Sequence, residues 1–208
     1  MCIIIVKPAG VKLPTDDLLR VAAAANRDGC GFMTEDGVVY HSMYRELSLF
    51  LSVLHKCVSI DKACAIHFRY ATHGSKSLKN CHPFSYKGEF LLMHNGVLPI
   101  ESKHDKTDSE IFLNSIGRKL MKAGLTSPET ARLLNDTGSR FAVCDVRRHY
   151  IGLFGDFQYF GGCAFSNLRP FYKGKLALTA GGRVNYVKNA PAPPPAPLSY
   201  FEDFRLPF

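Results

Sequence analysis

No C-x-x-C pair occurs among the seven cysteines, which lie at positions 2, 30, 57, 64, 81, 144 and 163. That absence and the odd count exclude the ligand spacing of a zinc ribbon and the pattern of a secreted disulfide framework, so free thiols in a reducing, cytoplasmic setting are expected. Long apolar runs are missing as well. The opening segment Cys2–Val6 is too short for a signal-peptide core and far too short for a membrane span, and no other stretch is long enough to cross a bilayer. There is no internal repeat and no regular βαβ alternation, which argues against a Rossmann sheet. Lys and Arg total 26 against 18 Asp and Glu, a formal charge of +8. The basic residues are nevertheless dispersed, with only Arg147-Arg148 and Lys173 with Lys175 as short groups. They read as a solubilising surface rather than a nucleic-acid footprint.

What is present is the composition of a globular domain: 208 residues, 46% hydrophobic and 21% charged. A chain of this size buries roughly 70% of the surface its unfolded form exposes, enough for a core without disulfide or metal. Cys2–Val6 reads as a buried strand. Asp16–Ala25 reads as a helix capped by Thr15 or Asp16, and the Asn26–Gly31 segment then breaks the pattern with two glycines. A hairpin follows, Phe32–Thr34 and Val38–His41 around Glu35-Asp36-Gly37. Leu47, Phe50, Leu51 and Leu54 predict a helix over Met43–Lys56. Ala63–Tyr70 and Glu89–His94 are predicted strands, and Asp108–Ala123 and Pro128–Asn135 predicted helices, the second with Ser127 as cap and Pro at the first helical position. Short strands are expected at Phe141–Asp145, Tyr150–Phe154, Tyr159–Phe165, Leu176–Ala180 and Val184–Val187. Residues 189–208, Pro-rich and then aromatic, are expected to form a stiff tail beyond a domain spanning 1–188. Strands, helices and strands again predict an α+β fold of stacked antiparallel sheets.

Four features carry possible chemistry, each with a plainer alternative. Cys2 is small enough for the initiator methionine to be removed, which would put a thiol and a free α-amine on one residue; an amine with a reference pKa near ~8 can accept the thiol proton and later protonate a leaving amine. The alternative is a small buried residue at a strand start. His67-Phe68-Arg69-Tyr70-Ala71-Thr72-His73-Gly74 crowds an arginine into a strand-to-loop junction, where its guanidinium can grip a carboxylate bidentately. His94-Asn95-Gly96 ends an apolar strand, and an Asn amide beside an unobstructed Gly N–H offers two donors to an oxyanion; Asn-Gly is also an ordinary turn. Asp108 is explained either as a helix N-cap or as the partner of a substrate ammonium.

In chain order, Cys2, Asn26-Arg27-Asp28-Gly29-Cys30-Gly31, His67-x-Arg69-x-Ala71-Thr72-His73-Gly74, His82-Pro83-Phe84, His94-Asn95-Gly96 and Thr107-Asp108-Ser109-Glu110 resemble the glutaminase domain of class II glutamine amidotransferases, of the N-terminal nucleophile hydrolase superfamily. The resemblance covers roughly residues 2–185 and is nearer the short stand-alone and phage-type forms. It implies a four-layer αββα sandwich. It further implies that Cys2 attacks the glutamine side-chain amide with its own α-amine as base, and that Asn95 and Gly96 hold the oxyanion. Arg69, Thr72 and His73 would bind the substrate end, with Arg69 and Thr72 on the α-carboxylate, and Asp108 would meet the α-ammonium. Gly74 onward would form a closing loop, and the turn with Asn26, Asp28 and Gly29 would pack against the nucleophile. The chemistry needs no cofactor and no metal. Tyr70 stands where many relatives have Trp. The resemblance implies glutamine as substrate and a separate ammonia-acceptor enzyme as partner, since nothing after Lys188 could bind sugar phosphate or nucleotide as an independent domain. The alternatives are a γ-glutamyl amide or peptide hydrolase with the same nucleophile, and a catalytically silent binding or regulatory module.

Overall fold

A computed structural model of the chain describes residues 2–71, 75–101, 106–172, 177–178 and 184–185. In chain order the elements are β1 (Ile3–Lys7), α1 (Asp16–Ala25), β2 (Cys30–Thr34), β3 (Val39–Ser42), α2 (Leu47–Cys57), β4 (Cys64–Phe68), β5 (Phe84–Tyr86), β6 (Phe90–Asn95), α3 (Asp108–Ala123), α4 (Pro128–Asn135), β7 (Arg140–Asp145), β8 (Tyr150–Phe154), β9 (Gln158–Phe160), β10 (Cys163–Phe165), α5 (Arg169–Tyr172), β11 (Ala177–Leu178) and β12 (Val184–Asn185). One sheet has the order β3-β2-β4-β1-β10-β9 and the other β5-β6-β7-β8, with every pairing antiparallel; β11 and β12 pair separately.

The alternation of side chains along a strand sorts the apolar residues into three layers. Ile3 and Ile5 of β1, Phe32 of β2 and Ile66 and Phe68 of β4 pack outward against α1 and α2, with Phe171 of α5 in the same cluster. Phe90 and Leu92 of β6 and Phe141 and Val143 of β7 pack outward on the other side, against Phe112, Leu113, Ile116 and Leu120 of α3 and Leu134 of α4. Between the sheets lie Ile4, Val6, Met33, Ala65, Leu91, Met93, Ala142, Cys144 and Ala164. The result is an αββα sandwich. Both faces of the central strands are covered, so they read as continuous apolar runs rather than alternating ones, and each fully buried Ile or Phe contributes roughly 1.5–3 kcal/mol.

Lys7 completes β1 although it is fully buried. Its ammonium donates to the carbonyls of Ser59, Ile60 and Lys62 at 2.9, 2.6 and 2.7 Å, so each of its three donors has an acceptor.

Several expectations are corrected. Tyr159–Phe165 is not one strand but the hairpin β9–β10, turned at Gly161-Gly162, whose φ angles are +58° and +78°. The helix after the first hairpin opens with a 3₁₀ turn at Tyr44–Glu46. β5 lies in what reads as loop, and α5 where no element is expected. Thr107, not Asp108, caps α3, its hydroxyl accepting from the Glu110 N–H. The expected tail and the boundary at 188 lie outside the described residues.

Gly31 of β2 is required by packing. It shares the inner side of the sheet with Met33, and a methyl group there would overlap the carbonyl oxygen of His82. Because the clash is with backbone, Gly31→Ala is expected to cost about 3 kcal/mol or more. A lower urea midpoint at unchanged slope checks this, and a midpoint equal to the parent's would contradict the packing.

Candidate active site

Ile4, Ala65, Met93 and Ala164 face the layer between the sheets. Two residues further along the same strands, on the same side of the pleat, stand Cys2, His67, Asn95 and Ser166. Pairing brings these ends together. Ile4 lies opposite His67, and Ile5 opposite Phe165; because β1 runs antiparallel to both neighbours, its first residues meet the last residues of β4 and β10. The Ser166 N–H donates to the Ile4 carbonyl at 2.9 Å, which continues the β1–β10 pairing one residue past β10. From the second sheet, the Asn95 carboxamide donates to Ser166 Oγ at 2.9 Å. The apolar layer therefore ends in a polar cluster contributed by four strands.

Cys2 is partly exposed. Its sulfur rests on the Tyr70 backbone, accepting from the N–H at 3.3 Å and facing the carbonyl at 3.4 Å. Burial pushes the thiol up from its ordinary value, against the smaller opposing effects of the Tyr70 N–H and the Arg69 guanidinium. At neutral pH the group is then mostly protonated, so nucleophilic attack needs a base.

Arg69 is buried at the end of β4. Its Nη1 donates to the Ser75 carbonyl at 3.0 Å, and its backbone N–H donates to Gly29 O at 2.8 Å while its carbonyl accepts from Asp28 N at 3.0 Å. The Asp28 carboxylate accepts from the Ala71 N–H at 2.9 Å and pairs with Lys76 at 2.8 Å. Burial pushes the Asp28 carboxyl up, but Lys76 and the Ala71 N–H outweigh it and hold it below its usual value. Asp28 and Gly29 thus brace Tyr70, the residue under the sulfur, from both sides. They reach Cys2 through β4, because β2 and β1 are not neighbours. Asn26 instead closes α1, its Nδ2 donating to Ala22 O at 2.9 Å. Thr72, His73 and Gly74 lie outside the described residues.

Asn95 and Gly96 are held from α3. Asp108, its first residue, accepts from the Leu98 N–H at 3.1 Å with one carboxylate oxygen and from the Ser109 N–H at 2.8 Å with the other. The Ser109 hydroxyl lies 2.8 Å from His94 Nδ1 and 3.3 Å from Asp108. His94 stacks on Phe141 at 4.9 Å. Both flanks of Asn95-Gly96 are therefore tied to one helix N-terminus, a place where a carboxylate is favoured. With about four lone-pair sites on a carboxylate, Asp108 keeps room for one further donor. A methyl group at Gly96 would overlap Ser139 Oγ.

Beneath this cluster His67 and His82 lie 4.2 Å apart, ring centre to ring centre, both buried. Among the described residues no group of three or more His, Cys, Asp or Glu is placed to hold a metal ion, and no helix is long and apolar enough to cross a membrane. A separate depression of about 380 Å³, lined by Lys119, Glu129, Arg132 and Asp136 among others, lies between α3 and α4. It lies at the C-terminal end of α3, away from Asp108, and shares no residue with the site.

Reading the chain alone misses Ser166, Ser109 and Ser139. Ser166 was findable: it follows an apolar run and shares the pleat side of Ala164, once the β9–β10 turn is recognised.

No family model matches the chain. By sequence it is similar to glutamine–fructose-6-phosphate aminotransferase [isomerizing] of Lactiplantibacillus plantarum, 34% identical over 97 residues, 38% of this chain and 16% of that protein. The enzyme of the same name from Streptococcus pneumoniae TIGR4 is 30% identical over 112 residues, 48% of this chain and 18% of that one. Amidophosphoribosyltransferase of Methanocaldococcus jannaschii is 31% identical over 114 residues, 46% of this chain and 24% of that one. The chain thus spans less than a quarter of each of these relatives. Among solved structures, the glutamine phosphoribosylpyrophosphate amidotransferase of B. subtilis, complexed with ADP and GMP, aligns with 90% of this chain and 44% of its own length at 15% identity and a TM-score of 0.44.

Proposed function

We propose that this chain, which belongs with the class II glutamine amidotransferases of the N-terminal nucleophile type, hydrolyses the side-chain amide of glutamine through a thioester on Cys2 and hands the ammonia to an acceptor on a separate protein. The observation that carries the reading is the convergence of Cys2 and Asn95, from different sheets, at one end of the inter-sheet layer, joined through Ile4 and Ser166.

Removal of Met1 frees the α-amine of Cys2. That amine takes the thiol proton, directly or through water, as the sulfur bonds to the amide carbon. The carbonyl oxygen becomes an oxyanion, held by the second N–H of the Asn95 carboxamide and the N–H of Gly96. The proton then passes to the leaving nitrogen, the C–N bond breaks and ammonia departs, leaving a γ-glutamyl thioester. Water adds to that carbon with the amine again as base, the C–S bond breaks, and glutamate and the thiol are restored. Arg69, with Thr72, receives the substrate α-carboxylate, and His73 contributes to substrate binding; the free lone-pair position of Asp108 receives the α-ammonium.

The test is glutamine-dependent release of glutamate and ammonia in equal amounts by protein whose intact mass shows loss of Met1. Asn95→Ala is expected to lower kcat by roughly 100-fold with modest change in KM, because the donor acts on charge present only in the transition state. Activity in protein retaining Met1 would contradict the amine's role, and an unchanged Asn95→Ala rate would remove that residue from the oxyanion site.

A further inference from the structure

Ser166 lies between the two halves of the site. It is buried, and its hydroxyl oxygen accepts two N–H groups from different sheets: the backbone N–H of Ile4 at 2.8 Å and the Asn95 carboxamide at 2.9 Å. Its own N–H returns to the Ile4 carbonyl at 2.9 Å. Where the β1–β10 ladder ends, the side chain of Ser166 thus replaces a main-chain acceptor. A hydroxyl oxygen has two acceptor lone pairs, and here both are engaged by donors whose positions the two sheets fix.

We infer that Ser166 is a positioning residue for the oxyanion site: by binding one N–H of the Asn95 carboxamide and the N–H of Ile4 on a single oxygen, it fixes the remaining Asn95 N–H relative to the nucleophile that immediately precedes β1. The inference deepens the proposed glutaminase reading and rests on it.

The physical argument is one of preorganisation. A carboxamide on a rotatable side chain stabilises an oxyanion only if it need not reorient when charge develops, and displacements of about an ångström cost much of the effect. The Asn95 backbone is already fixed by β6–β7 pairing with Arg140 opposite and by the Asp108–Ser109–His94 bonds that flank it. What the backbone leaves undetermined is the rotation of the carboxamide, and Ser166 sets it. The plane of the amide then directs the second N–H away from Ser166 at about 120° to the first. Because Ile4 is two residues from Cys2 on the same strand, the oxygen that orients the donor is also registered to the sulfur. A serine that only closed the ladder would need the Ile4 contacts and not the Asn95 one.

The experiment compares the parent, Ser166→Ala, Ser166→Thr, Asn95→Ala and the Ser166→Ala/Asn95→Ala double variant in glutamine hydrolysis, using full-length protein. Ser166→Ala is expected to lower kcat by roughly 10-fold or more with KM for glutamine within about 2-fold of the parent, and Ser166→Thr, which keeps the hydroxyl, to recover most of the rate. In the Asn95→Ala background the same Ser166→Ala change is expected to cost little, since the group it acts through is gone. A full additional loss in the double variant overturns the inference, as does parental kcat in Ser166→Ala. A parent protein that does not hydrolyse glutamine overturns the functional reading and this inference with it, an outcome distinct from the others because no variant is needed to see it. Should Ser166→Ala fail to fold, hydrogen exchange of the Asn95 carboxamide in the parent, assigned by its loss in Asn95→Ala, decides the matter. One slowly exchanging and one fast proton support the clamp; two equally fast protons overturn it.

Discussion

Cys2→Ala is expected to reduce glutamine hydrolysis by at least ~10³-fold while keeping the fold and leaving the unfolding free energy, measured in urea, within about 0.5 kcal/mol of the parent. The size follows from the chemistry: with the sulfur gone, the reaction cannot be split into acylation and deacylation, and what remains is water attacking an amide held near two donors. The small structural cost follows from the position. Cys2 precedes β1, is partly exposed, and touches mainly the Tyr70 backbone, so truncation opens no enclosed cavity. Glutamine should still bind, because Arg69 and Asp108 are untouched, and calorimetry of the variant should give a dissociation constant close to the parent's. Cys2→Ser is a sharper control. It keeps the size and the amine but replaces a thiol that the amine can deprotonate with a hydroxyl that ionises far less readily. More than a tenth of parental activity in Cys2→Ala would place the nucleophile elsewhere and dissolve the proposed mechanism.

How much of this could be read from the chain depends on how local the determining physics is. α1, α3 and α4 begin and end where the sequence places them, because a Thr or Ser hydroxyl bonding an N–H three residues on, and Pro128 at the first helical position, are signals contained within a few residues. The exception shows the limit: Thr107 and Asp108 are adjacent and either can cap, and only the three-dimensional structure assigns Asp108 to Leu98 and Ser109 instead. The β9–β10 hairpin was hidden because Gly161-Gly162 sit inside an otherwise strand-forming run, and positive φ leaves no mark beyond the glycines themselves. Cys2, Arg69, Asn95, Gly96 and Asp108 stand out as residue types in motifs. Ser166 and Ser109 do not, since their place depends on pleat side and on which strands become neighbours across more than 70 residues of chain, as between Asn95 and Ser166. Buried Lys7 escaped for the same reason: the three carbonyls that hold it come from the loop after α2.

Acid is expected to unfold the protein well above the pH at which carboxylates protonate, and the cause is the group of buried imidazoles under the site. Burial pushes His67 down to about 3, with nearby positive charge from His94 and Arg69 adding to it. Burial pushes His82 well below its ordinary value, again with its neighbours' help, and His94 down to about 4, the Asp108 carboxylate opposing. His41 shifts in the same direction, through burial against its bond to the Pro83 carbonyl. In the unfolded chain each imidazole takes up a proton near pH ~6.5. Between that pH and about 4 the unfolded state therefore binds more protons than the native state, so stability is full above the unfolded value and falls as pH drops. At pH 5 His67 and His94 each withdraw roughly 2 kcal/mol, and His82 adds to the loss in the same direction, which is a large share of the stability of a typical domain. Asp28, whose carboxyl is held low, is lost only at more acid pH and does not contribute in this window. The measurement is the urea midpoint at pH 7, 6 and 5, expected to fall steeply at unchanged slope. His67→Leu, of similar volume and without a titrating ring, should lose about one proton's worth less between pH 7 and 5 than the parent. Equal midpoints at pH 7 and 5 would mean that these imidazoles take up protons as readily in the folded state as in the unfolded one, and that the layer under Asn95 is wetter and more open than its packing implies.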